Sequence, residues 1–120
     1  MSTRSYISRL NDNGSVTGIY CHFDGYLDGV GMMLKNNYTT PEKLDDLLSL
    51  GDISCLGPSP DDRTEAYARD RGDELNPPVT FTTTEGLGKE AYVELGAEFS
   101  YVFNGSGWVY YTPDSGPAPL

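Results

Sequence analysis

The run Ser5-Tyr6-Ile7-Ser8-Arg9-Leu10-Asn11-Asp12-Asn13-Gly14-Ser15-Val16-Thr17-Gly18-Ile19-Tyr20-Cys21-His22-Phe23 decides the fold. Two stretches of alternating character flank Asn13-Gly14, and Asn-Gly between such stretches is the strongest short-range hairpin signal. A two-residue and a four-residue loop are both open, and they leave the facing of the side chains the same. Tyr6, Ser8 and Leu10 then share a face with Thr17, Ile19, Cys21 and Phe23, and this is the expected core face. Ile7, Arg9, Val16, Tyr20 and His22 share the other.

The other end of the chain repeats the pattern. Phe99–Phe103 and Trp108–Thr112 flank Asn104-Gly105-Ser106-Gly107, which sets Phe103 opposite Trp108 and Tyr101 opposite Tyr110. Such aromatic pairs contribute up to about 1 kcal/mol each. Helices are expected between the hairpins. Val30, Met33 and Leu34 have helical spacing in a short helix over 27–37. Thr40 suits an N-cap, Pro41 the first helical position, and Leu44, Leu47 and Leu48 the apolar stripe before Gly51. Residues 53–56 read as a short strand or connector, 57–62 as a loop and 64–69 as a strand, with Asn76-Pro77-Pro78 as a break. Thr82-Thr83-Thr84-Glu85 fits a capping box before a helix that reaches about Leu95 and stops at Gly96. The expected fold class is α+β, with one antiparallel sheet built from the N- and C-terminal hairpins and two or three helices packed on one face. It forms a single domain over 1–112 with a flexible Pro/Gly-rich tail over 113–120. The predicted core is Tyr6, Leu10, Ile19, Phe23, Leu44, Leu47, Leu48, Leu87 and Trp108.

Eighteen acids against eight bases give 120 residues a net charge of −10. That balance argues against gripping nucleic acid directly, since phosphate binding draws on Lys and Arg. No stretch approaches the roughly 18 apolar residues of a membrane span. No signal-peptide pattern is visible at the start. Residues 41–98 hold fourteen acids and five bases, so nearly all the net charge lies there. Glu42, Asp45, Asp46, Asp61, Asp62, Glu65, Asp70, Asp73 and Glu74 are its densest part. A solvated face explains them. The sharper reading is a partner-binding surface that imitates a short stretch of nucleic acid, with Glu42, Asp45, Asp46 and Ser49 on one helix face.

Tyr20-Cys21-His22-Phe23-Asp24-Gly25-Tyr26 gathers the only His, one of the two Cys, a carboxylate and three aromatics. Catalysis would need Cys21 as nucleophile and His22 as base, yet neighbours on a strand point to opposite faces. A small-ligand reading takes Tyr20, His22, Asp24 and Tyr26 with Arg69 or Arg71 as an anion site. Two Cys and one His fall short of a structural zinc set, so no metal and no cofactor are expected, and both thiols read as reduced. Gly25, Gly29 and Gly31 lack the strand–helix setting and the Lys of a phosphate loop. Arg71-Gly72-Asp73 spells the integrin tripeptide, which has no role in a cytosolic protein.

Ser5-Tyr6-Ile7 and Gly18-Ile19-Tyr20-Cys21-His22-Phe23-Asp24-Gly25-Tyr26 resemble a group of small uncharacterised proteins carried by bacteriophages and mobile elements. The likeness extends through Tyr38, Leu48-Ser49-Leu50-Gly51-Asp52-Ile53-Ser54, Leu56-Gly57, Ala66-Tyr67, Arg69-Asp70-Arg71-Gly72 and Tyr101-Val102-Phe103. The resemblance implies a phage or prophage accessory protein in the host bacterial cytoplasm. Small acidic phage proteins are often inhibitors of host machinery, including anti-CRISPR and other anti-defence proteins. The expected function is therefore a non-enzymatic inhibitor that binds a basic, nucleic-acid-binding bacterial protein. The alternative is a protein that binds or sequesters a nucleotide-like small molecule. A weak hydrolase around His22 is the third reading.

Overall fold

The computed structural model describes residues 2–120. β1 (Ser5–Leu10) and β2 (Val16–Cys21) form the first hairpin. Its turn holds an odd number of residues where two or four were expected. Gly14 N–H donates to the Asn11 carbonyl at 3.0 Å, Asn11 N–H donates to the Ser15 carbonyl at 2.7 Å, and Gly14 adopts φ +87°. A three-residue connection with a left-handed glycine is the next commonest hairpin form after two residues. The odd count moves the register by one, so Ile7 pairs with Ile19 and Tyr6 with Tyr20. A one-residue slip exchanges every side chain between faces. The expected facing is therefore corrected: Tyr6 lies with Tyr20, and Ile7 with Ile19 and Cys21.

β1 is central. Its other edge pairs in parallel with β6 (Phe99–Phe103), which pairs antiparallel with β7 (Trp108–Thr112). Phe103 meets Trp108 and Tyr101 meets Tyr110, as the sequence predicts. β3 (Ile53–Cys55) runs parallel to the end of β2, and β4 (Glu65–Ala66) pairs antiparallel with β3. β5 (Val79–Phe81) takes the other half of the β2 edge. The sheet is thus mixed, mostly antiparallel, in the order β4-β3-β2-β1-β6-β7 and onward to a last strand.

That last strand is β8 (Ser115–Pro119), paired with β7. The expected flexible tail is corrected here: Ala118 lies opposite Tyr110, and Leu120 N–H donates to the Trp108 carbonyl at 3.1 Å. Pro117 and Pro119 stand in this edge strand, where a missing N–H is tolerated.

The helices are divided between the two faces, not gathered on one. A π-helical turn (Leu27–Gly31) runs into α1 (Met32–Asn37), followed by α2 (Pro41–Leu48). Thr40 caps α2 by accepting the Lys43 N–H at 3.3 Å. Val30, Leu34, Leu44, Leu47 and Leu48 pack with Ile7, Ile19 and Tyr101. α4 (Leu87–Leu95) packs on the opposite face, with Leu87 and Ala91 against Tyr6, Val102 and Tyr111. Tyr6 and Ile7 are both fully buried because the sheet is covered on both sides. The expected capping box does not form. Gly86, at φ +70°, is the N-cap of α4, and Thr83 Oγ1 accepts the Glu85 N–H instead. Residues 64–69, expected as a strand, divide into the two-residue β4 and α3 (Tyr67–Arg71).

Seven of the predicted core residues are buried, but Leu10 is half-buried and Phe23 is 42% exposed. Phe23 lies beyond the end of β2, where the sheet gives it no cover. Among the described residues, no helix is long and apolar enough to cross a membrane.

Candidate functional site

The unusual string at 20–26 is pulled three ways by the sheet. Cys21 points into the face covered by α1 and α2, fully buried, and burial pushes its thiol up to about 12. Tyr20 and His22 point to the α4 face, where the Tyr20 hydroxyl meets His22 Nδ1 at 2.7 Å. Cys21 and His22 therefore stand on opposite sides of the sheet. Asp24 takes φ +59° and starts the π-helical turn, accepting the Val30 N–H at 2.8 Å on its backbone carbonyl. Tyr26 donates to the Asp24 carboxylate at 3.3 Å, and that charge raises the Tyr26 pKa.

Around Tyr20 and His22 lie residues that no motif announced. Ser2 Oγ meets His22 Nε2 at 3.1 Å. Asp52 accepts the Tyr20 N–H at 3.2 Å and the Asn76 side-chain amide at 3.2 Å. Burial raises the Tyr20 phenol, while the nearby Arg4 charge pulls it down. Tyr67, at the head of α3, lies under the Arg71 guanidinium, 5.0 Å from ring centroid to Cζ. The alternation of β1 places Arg4 and Tyr6 on one face, which was the available signal for Arg4. Nothing in the sequence set Asp52 apart from the other acids.

Arg69 and Arg71 are already engaged. Arg69 grips Asp70 with two bonds of 2.9 Å and reaches the Pro60 and Thr64 carbonyls at 2.7 and 2.8 Å. It thereby ties α3 to the 57–64 loop, and its hydrogen bonds hold the Asp70 carboxyl below the usual carboxylate range. Arg71 pairs with Glu65 and touches Ser54 Oγ at 3.4 Å. Of the six small-ligand candidates, Tyr20 and His22 form one pair and Asp24 and Tyr26 another. Arg71 joins the first pair's face through Tyr67 and Ser54.

The acidic candidates are exposed or half-buried throughout. Asp45 pairs with Arg9, Asp62 with Arg63, Glu65 with Arg71, and Asp61 and Asp70 with Arg69. Glu42 and Asp46 on α2, and Asp73 and Glu74 after α3, form no ion pair among the described residues. Among those residues no three His, Cys, Asp or Glu side chains converge as a metal-ligand group. Comparison of the chain with protein-family models, curated proteins and solved structures finds no match.

Proposed function

We propose that this chain is a non-enzymatic binding protein that inhibits a bacterial host or defence protein, the anti-CRISPR and anti-defence kind of role, by docking its acidic surface on a basic one. The observation that carries the reading is the division of the acids in 41–98. All three arginines of that segment are held by acids within it, and Glu42, Asp46, Asp73 and Glu74 are exposed and form no ion pair among the described residues. Such a surface attracts the groove with which a partner would hold nucleic acid. α2 is eight residues long and spans only about 12 Å, so it imitates a short run of phosphates. The resemblance to phage and mobile-element proteins directs the search for the partner to bacterial cytoplasm.

Charge reversal tests this. Glu42→Lys, Asp46→Lys, Asp73→Lys and Glu74→Lys together leave these acids' surroundings uncrowded and their ion-paired neighbours in place. Affinity capture from bacterial lysate, read by mass spectrometry, compares this variant with wild type at low and high salt. The expected outcome is a basic protein held by wild type at low salt and lost both to high salt and to the reversal. A partner retained equally by both proteins at both salt concentrations overturns the acidic docking surface.

A further inference from the structure

α4 packs on the sheet over β6 and β7. Near its C-terminal end Tyr92 is 49% and Val93 69% exposed. A groove of about 540 Å³ runs beside this end, lined by Ser2, Arg4, Tyr92, Val93, Gly96 and Glu98. Ser2 Oγ in turn meets His22 Nε2 at 3.1 Å. The volume lies within the usual range for small-ligand sites, roughly 300–1,000 Å³.

We propose that this groove binds a free nucleotide bearing one or two phosphate charges, with the base against Tyr92 and the phosphate at Arg4. Three observations choose that chemistry. Arg9, Arg63, Arg69 and Arg71 each hold an acid, whereas Arg4 is exposed and forms no ion pair among the described residues. An unpaired guanidinium offers a fork of donors that matches a phosphate. Gly96 leaves the space it occupies: a Cβ there would stand 3.1 Å from Arg4 Nη1. Second, Tyr92 beside it presents an exposed aromatic ring, and an aromatic face stacks on a base at about 1–3 kcal/mol. Third, the whole chain carries −10 and Glu98 sits on the rim, which disfavours a polyphosphate strand and limits the ligand's charge. None of the acids of the docking surface lines this groove, and its occupancy does not depend on that reading.

Titration calorimetry and thermal shift with adenosine, guanosine, cytidine and uridine monophosphates test the proposal directly. Adenosine serves as base without anion, inorganic phosphate as anion without base, and a short uridine oligonucleotide as the nucleic-acid arm. At least one monophosphate is expected to bind at millimolar concentration or below, more tightly than its nucleoside and than phosphate. Arg4→Gln is expected to weaken that binding about tenfold, as loss of a charge-assisted hydrogen bond does. Tyr92→Ala, on an exposed face that leaves the core untouched, is expected to weaken it severalfold. No binding by any of the four overturns the proposal, as does binding that both variants leave unchanged. Inorganic phosphate alone binding equally well overturns the base contacts, and tighter binding of the oligonucleotide overturns a free nucleotide as the ligand.

Discussion

Leu47 is fully buried between α2 and the sheet, beside Leu44 and the core residues Ile7 and Ile19. Leu47→Ala is expected to cost about 2–5 kcal/mol, because the cavity adds to the lost transfer energy. Denaturant unfolding measures it, and a loss below about 1 kcal/mol would mark α2 as peripheral. A second expectation concerns alkaline pH. Burial raises the phenols of Tyr6, Tyr38 and Tyr101 and the thiol of Cys21 above their ordinary values. Folding therefore favours their neutral forms. Their contribution is whole below the unfolded pKa, about 8.5 for Cys and about 10 for Tyr, and is lost as pH rises towards the folded values. Each group then removes about 1.4 kcal/mol per pH unit. Stability should fall ever more steeply above about pH 10, with tyrosinate absorbance and loss of circular dichroism rising together. Tyrosinate absorbance that reaches its full value while the fold persists would contradict the burial of these rings. At this scale the sequence was legible for the leucines, whose spacing names their face. It was not legible for Tyr6 against Ile7, since a strand buried on both sides carries no polar alternation to read.

Gly88 shows how an element can reverse a residue's usual preference. Gly to Ala within a helix ordinarily stabilises by up to about 1 kcal/mol. In α4, a Cβ at Gly88 would stand 2.0 Å from the Thr112 carbonyl oxygen of β7. Gly88→Ala should therefore lift α4 from the sheet and destabilise by about 1–3 kcal/mol. A neutral or higher unfolding midpoint would show that α4 shifts without cost. The two threonine caps separate in the same way. Thr40→Ala should cost about 1 kcal/mol, whereas Thr82→Ala should stay within about 0.5, because Thr82 is exposed and caps nothing. Helices α1 and α2 were readable from Thr40, Pro41 and the leucine stripe. The start of α4 was not, because a left-handed Gly86 does the work that the threonines advertise. The turn at 12–14 escaped for a similar reason: Asn13-Gly14 announces a hairpin but not whether its loop is odd or even. The groove beside α4 was not legible, because Ser2 and Arg4 come to it from the start of the chain and Tyr92 from α4, and only the fold joins them.

The whole molecule depends on a contact between its ends. Ser5 pairs with Phe99 and Arg9 with Phe103, so the central strand β1 gains its second neighbour only when nearly all the chain is present. Such non-local pairing slows folding to the range of milliseconds to seconds. A fragment of residues 1–98 should show no cooperative thermal transition, because Ile7 and Tyr6 would lose the strand beside them; a sigmoidal melt with native circular dichroism would refute this. The two hairpins were plain in the sequence, but their parallel junction was not, since no local signal records which strand lies beside which. The last strand carries a further consequence. β8 closes one side of the sheet with Pro117 and Pro119, and the opposite side closes with the two-residue β4 and the three-residue β5. A strand arriving from another molecule would find few amide hydrogens to accept on one rim and almost no length on the other. Concentrated solutions of this chain should therefore resist seeding and fibre growth, even though its middle strands are rich in tyrosine and phenylalanine.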